Sequence, residues 1–255
     1  MGQEFEDYYR ARYGSRWDSL RKSLLEPPAM TAYREGLSRP YYLDRASILA
    51  ARSLRLPERG TLLDACAAPG GKSLVIASVM GPDLCLLSNE LSHERRRRLV
   101  RVLDEHLEGE LRARVRVSGF NAAASAARKT EHGRFSGILL DAPCSGERHL
   151  MQNERALAEW TPARPRFLAR RQWALLSAAF LLLEAGSSLV YATCALGPEE
   201  NDGVALRLLR KYKDRVIQDE PDFTEGERTG YGRIILPDAC EGMGPMYVAR
   251  FRKRA

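Results

Sequence analysis

Two cysteines stand just beyond two apolar runs. Asp141-Ala142-Pro143-Cys144-Ser145-Gly146 continues from Ile138-Leu139-Leu140, and Thr193-Cys194-Ala195-Leu196 continues from Ser188 to Ala192. If both runs are strands of one parallel sheet, both thiols sit at strand carboxyl ends, the rim where such sheets bind ligands. A single cysteine in apolar company is ordinarily an inert small side chain, and only the thiolate is a nucleophile. Two at one rim, one of them in a Pro-Cys turn that starts at Asp141, make covalent catalysis the chemistry to consider.

A third segment belongs to the same rim. Leu62-Leu63-Asp64-Ala65-Cys66-Ala67-Ala68-Pro69-Gly70-Gly71-Lys72-Ser73 reads as a strand, a turn of small residues and a helix start. Such a turn lets backbone approach a ligand closely. Gly71-Lys72-Ser73 is also the end of a phosphate-binding P-loop, with Ile138 to Asp141 as the acidic strand for Mg²⁺, which would make the protein an NTPase. That loop requires glycine five positions before Gly71, where Cys66 stands, and Pro69 removes one N–H of the cradle. Glu90 ends the next apolar run, where a Rossmann-like site places an acid for a ribose diol, although an acid there also suits a helix cap. No G-x-G-x-x-G is present for a pyrophosphate. S-adenosylmethionine satisfies the small turn, the ribose acid and the missing phosphate cradle together.

The elements that must position these residues alternate. Thr61 to Ala65, Leu84 to Asn89, Val115 to Ser118, Ile138 to Asp141 and Ser188 to Thr193 read as strands, mostly separated by stretches long enough for helical crossovers. Ser92 can cap a helix carrying Leu99, Leu103 and Leu107, and Arg170 to Glu184 reads as a helix pressed onto the sheet. Arg233 to Leu236 and Met246 to Phe251 are two further strand candidates. The pattern predicts a doubly wound, mostly parallel α/β fold. Residues 1–45 read as an N-terminal helical extension, whose Phe5, Tyr8, Tyr9, Tyr13 and Trp17 form a packing stripe, and residues 46–255 as the catalytic domain.

Composition narrows the classes. The chain has 255 residues, 40 Lys and Arg against 33 Asp and Glu, and a net charge of +7, which points only weakly to a polyanionic partner. No apolar stretch reaches the ~20 residues of a membrane span, and the acid-containing start has no secretory h-region, so a cytoplasmic address is expected. Five widely spaced cysteines without a C-x-x-C pair disfavour a disulfide framework and a zinc site, and no metal is expected. The four histidines, His93, His106, His132 and His149, read as surface or loop residues, His149 nearest the rim.

The chain resembles the NOL1/NOP2/Sun family of RNA cytosine-C5 methyltransferases, from Tyr41 to Arg252. Asp64 to Lys72, Asp141 to Gly146, Thr193-Cys194 and the closing Gly244-Pro245-Met246-Tyr247-Val248-Ala249-Arg250 carry the resemblance. The opening Phe5-Glu6-Asp7-Tyr8-Tyr9 to Trp17 is similar to the compact branch of that family. The resemblance implies a Rossmann-like class I methyltransferase fold with an antiparallel final strand. It implies Cys194 as nucleophile toward cytosine C6, Cys144 as the residue that assists release, and Asp141 on the target base or the donor's methionine end. For S-adenosylmethionine it implies Cys66, Ala67, Ala68, Pro69, Gly70, Gly71, Lys72, Glu90, Arg95 and Asn121, the last where the family usually has aspartate. Asp44-Arg45 also departs from the family's glutamine and acid.

The expected partner is RNA, ribosomal or transfer, for a monomer with room for a protein that completes the grip. Arg95 to Arg98, Arg112, Arg114, Arg116, Arg164, Arg166, Arg170 and Arg171 are candidate RNA contacts. A catalytically silent RNA-binding or assembly factor is the alternative, motivated by Asn121 and by the lack of an evident accessory RNA-binding domain.

Overall fold

The computed structural model describes residues 2–125 and 129–255. Helices α1 (Gln3–Tyr13) and α2 (Trp17–Leu25) open the chain, and a hairpin of β1 (Met30–Tyr33) and β2 (Tyr41–Asp44) follows. That hairpin corrects the helical reading of residues 1–45. Its aromatic and β-branched side chains suit a pleated strand, and Tyr33 pairs with Tyr41, Thr31 with Leu43.

Next come α3 (Arg45–Arg52), β3 (Gly60–Asp64), α4 (Gly71–Val79), β4 (Leu84–Asn89), α5 (His93–His106), α6 (Gly109–Ala113), β5 (Val115–Ser118) and α7 (Ala122–Ser125). The chain continues through β6 (Phe135–Asp141), α8 (Glu147–Met151), α9 (Glu154–Ala158), α10 (Ala163–Leu182), β7 (Leu183–Thr193) and α11 (Asp202–Tyr212). It ends with β8 (Val216–Asp219), β9 (Glu227–Arg228), β10 (Arg233–Ile235) and β11 (Met246–Lys253). Helix α10 thus starts before Arg170, and Glu184 lies on β7 rather than on the helix. Pro165 is tolerated in the first turn of α10, where its missing N–H leaves no intrahelical bond unmade. Leu183 already pairs with Phe135, and an irregularity there lets the strand start five residues before Ser188.

The main sheet runs β5-β4-β3-β6-β7-β11-β10-β9, with β8 on β11. Strands β3 to β7 are parallel, and β11 is antiparallel to β7. Period-2 alternation explains the two cores. Leu63, Ile138, Leu140, Leu189 and Tyr191 face one cluster, whereas Leu62, Leu139, Val190 and Ala192 face the other. Phe5, Tyr9 and Trp17 are fully buried in the first cluster beside Trp160, as a packing stripe requires. Tyr9 stacks on Trp17 at 5.3 Å, and Phe5 meets Trp160 edge-on at 5.3 Å, so α1 is docked on the same face as α10. Among the described residues no helix is long and apolar enough to cross a membrane. Strand order reverses between β3 and β6, and a crevice opens there at the strand carboxyl ends.

Candidate active site

Parallel register sets Asp141 opposite Ala192 and Asp64 opposite Leu139, so the loops leaving β3, β6 and β7 emerge side by side. Cys144 Sγ and Cys194 Sγ lie 2.8 Å apart as free thiols. The Cys194 N–H also donates to Cys144 Sγ at 3.2 Å. The hydrogen bond to Cys194, and then burial, push the Cys144 thiol well above its ordinary range. Cys144 therefore keeps its proton near neutrality.

Lys72 Nζ donates to Asp141 Oδ2 at 2.7 Å and to Ser47 Oγ at 3.2 Å. Burial works against the ammonium, but the Asp141 carboxylate outweighs it by charge and hydrogen bond, and Cys194 adds to the effect. The net shift is upward, so Lys72 stays charged beside the thiols. A cleft of about 600 Å³ lined by Ser47, Lys72, Asp141, Cys144, His149 and Cys194 opens over the group.

A neighbouring cavity of about 480 Å³ shares Cys66, Arg95 and Pro143 with that cleft and is also lined by Glu90, Phe120 and Asn121. Its size suits a nucleoside. Glu90 Oε1 accepts the Ser92 N–H at 2.9 Å, so the acid does cap the next turn. Its Oε2 is buried, accepts no hydrogen bond and lies 3.4 Å from Arg95 Nη1. An orphaned acceptor on a cavity wall is an opening for ligand hydroxyls. The glycines explain the turn: a Cβ on Gly70, at φ +123°, would lie 2.9 Å from Val102 Cγ1, and one on Gly71 would lie 2.8 Å from Tyr41 Cε1. Arg95 Nη2 fastens the turn by donating to Ala68 O at 2.8 Å. Ser73 Oγ donates to Asp64 Oδ2 at 2.7 Å. Neither Lys72 nor Ser73 is thus aimed at a phosphate as a P-loop would have it. Among the described residues no His, Cys, Asp and Glu cluster could hold a metal ion.

Asp64 makes a pH prediction. Burial, reinforced by Asp141 and opposed by Ser73, raises its carboxyl to about 7. The folded state then binds the proton more tightly than the unfolded chain, whose aspartate titrates near ~3.9. Stability from this group is present below pH ~4, is lost as pH rises to about 7, and changes no further above that, a loss of up to about 4 kcal/mol. Urea unfolding of ligand-free protein at pH 5 and pH 8 should show this fall in the native chain and a flatter response in Asp64→Asn.

Residues 51–252 match the family model described as 16S rRNA methyltransferase RsmB/F. The chain belongs to the RsmB/F family. Ribosomal RNA small subunit methyltransferase F of Klebsiella pneumoniae (strain 342) is 36% identical over 231 residues, covering 87% of this chain and 46% of that protein. The Aeromonas salmonicida (strain A449) protein of the same name is 36% identical over 229 residues, covering 86% and 47%. The chain thus spans about half the length of these relatives. Among solved structures, NSun6 from Pyrococcus horikoshii with SFG superposes with a TM-score of 0.71 at 26% identity, covering 87% of this chain and 54% of that one. A methyltransferase homolog from Pyrococcus horikoshii, at 21% identity and a TM-score of 0.75, covers 98% and 94% and supports the fold. Membership of the NOL1/NOP2/Sun group and the Rossmann-like methyltransferase fold stand as expected.

In this RsmB/F-family chain Asn121 lines the cavity, and its Oδ1 accepts the Ala123 and Ala124 N–H groups at 3.1 and 3.3 Å. Several other expectations are corrected. Arg112 and Arg114 lie away from the rim. They precede β5, where Arg114 Nη1 donates to Leu84 O at 3.1 Å and Arg112 pairs with Asp104, and a residue before a parallel strand belongs to the opposite edge. Arg164 and Arg171 do reach the cavities. His106 is buried, edge-on to Tyr41 at 5.1 Å, rather than on the surface. Asp44 is structural: its carboxylate caps α3 through the Ala46 N–H at 2.8 Å and holds the Gly244 N–H at 2.8 Å. Sequence reasoning missed Glu147, Glu200 and Gln172, all buried under the two cysteine loops. Gln172 Nε2 donates to Pro143 O at 3.0 Å and to Glu200 Oε2 at 2.7 Å.

Proposed function

We propose that this chain methylates C5 of a cytosine in RNA, with S-adenosylmethionine as donor and small-subunit ribosomal RNA as the substrate class its relatives' names suggest. The observation that carries the reading is the Cys144–Cys194 pair beside the Lys72–Asp141 ion pair, next to a nucleoside-sized cavity with a buried Glu90 oxygen that accepts no hydrogen bond. That oxygen and the small turn from Cys66 to Gly71 fit the donor's ribose and adenosine, and Lys72, Arg95 and Asp141 border its methionine end. When bound, the donor supplies an electrophilic methyl group, which C5 can take once C6 carries sulfur.

Cytosine C5 is a weak nucleophile, so the Cys194 thiolate adds to C6 and moves ring electrons toward C5. Lys72 holds positive charge beside that thiolate, and Asp141, which accepts from Lys72, hydrogen-bonds the base. After methylation the C5 proton leaves to a base, its bonding pair re-forms the C5=C6 double bond, and the C6–S pair returns to Cys194. Cys144 assists this release. The target base must be unstacked, because C6 is unreachable within a helix.

The test combines the wild-type chain with Cys144→Ala, using small-subunit rRNA and S-adenosylmethionine. Wild type should convert cytosine to 5-methylcytosine by bisulfite sequencing. The variant should instead accumulate a protein–RNA adduct on a denaturing gel; methylation with no such band would reassign Cys144.

A further inference from the structure

A buried carboxylate ties together three separated parts of the chain. Glu147 opens α8 directly after the Cys144 loop and is fully buried. Its Oε1 accepts hydrogen bonds from the Tyr9 hydroxyl, at 2.5 Å, and from the Ser145 hydroxyl. Its Oε2 accepts the Leu196 N–H at 3.1 Å. Tyr9 belongs to α1, Ser145 follows Cys144, and Leu196 lies two residues beyond Cys194. A second carboxylate closes the other side, because Glu200 Oε2 accepts the Ser145 N–H at 3.0 Å. Ser145 is therefore held by its hydroxyl on one glutamate and by its amide on the other.

Burying a carboxylate is costly, and apolar side chains would fill the same space at less expense. What a carboxylate adds is direction. Two oxygens receiving donors from two different loops fix the distance between those loops, which greasy packing leaves free to slide. Tyr9 cannot swing away, since its ring is clamped against Phe5 at 4.7 Å and Trp17 at 5.3 Å.

We propose that Glu147 is the positioning residue of the cysteine pair: it registers the Cys144 loop against the Cys194 loop and, through Tyr9, makes α1 part of that device. The inference rests on the methyltransferase reading above. Addition to C6 needs Cys194 alone, whereas release needs both sulfurs at the same base. Loosened register therefore slows the step in which the C5 proton leaves and the C6–S pair returns to Cys194. RNA then stays bonded to that sulfur.

The test uses the full chain with small-subunit rRNA and S-adenosylmethionine, comparing wild type, Glu147→Ala, Glu147→Gln and Tyr9→Phe. Melting temperature, donor affinity by calorimetry and the RNA-linked fraction on a denaturing gel are measured together. Tyr9→Phe should raise the linked fraction about fivefold, the worth of one hydrogen bond, with donor affinity unchanged. Glu147→Ala should raise it further. Glu147→Gln should restore wild-type behaviour, because its amide oxygen keeps the Leu196 N–H while the Tyr9 and Ser145 hydroxyls turn to accept. Should Glu147→Ala fail to fold, Tyr9→Phe still decides. Turnover that falls in step with melting temperature, or Tyr9→Phe and Glu147→Ala indistinguishable from wild type, with no rise in linked RNA, would overturn the proposal. Wild type that forms neither product nor adduct would instead overturn the methyltransferase reading beneath it.

Discussion

Replacing Cys194 by alanine should remove cytosine methylation altogether, a fall of at least about 10⁴-fold, on the scale of deleting a covalent nucleophile. The residue next to it in space cannot take over. Cys144 lies 2.8 Å away, and although the variant removes its hydrogen bond to Cys194, burial still raises its thiol, so it offers little thiolate near neutrality. The Cys194→Ala variant should still bind the donor, because the cavity that holds Glu90 and Asn121 does not include Cys194. Transfer of label from methyl-labelled S-adenosylmethionine into RNA, together with calorimetry, separates the two effects. Residual 5-methylcytosine above the no-enzyme background would remove Cys194 from the mechanism.

The second large effect concerns the donor. Glu90→Ala should weaken S-adenosylmethionine binding about 100-fold, as expected for losing charged hydrogen bonds to a ribose diol. Glu90 Oε2 is buried on the wall of a cavity of about 480 Å³ and accepts no hydrogen bond, so a bound ribose would displace no hydrogen bond there. Asn121→Ala should cost much less, within about threefold, because its amide oxygen already serves the Ala123 and Ala124 N–H groups. Comparable losses in the two variants, measured as dissociation constants, would shift the adenosine contacts from Glu90 to Asn121.

Much of this was legible before any coordinates. Four of the five parallel strands end in a residue with chemical meaning, Asp64, Glu90, Asp141 or Cys194 lying at or just past a carboxyl end, and parallel order then brings them to one rim. The hairpin was not legible, because its two strands are four residues each and share their aromatics with the helical stripe that precedes them. Arg112 and Arg114 were misplaced for a reason the sequence contains: a residue just before a parallel strand sits on the edge opposite the site. The glutamate braces are different in kind. Nothing in Ser145-Gly146-Glu147 separates a solvated helix-opening acid from one buried under two loops, since the deciding partner, Tyr9, lies 138 residues away.

That separation bears on how the folded protein comes into being. The two thiols are 50 residues apart along the chain, Tyr9 and Glu147 are 138 apart, and Asp44 and Gly244 are 200 apart. Contacts of such long range form only after loop-closure entropy has been met by neighbouring strands, so they belong to the late part of folding. A nascent or partly unfolded chain therefore carries two isolated cysteines of ordinary character. The paired sulfurs exist only in molecules in which β6 and β7 have joined and the loops that leave them are seated, which makes that joining the gate on the pair.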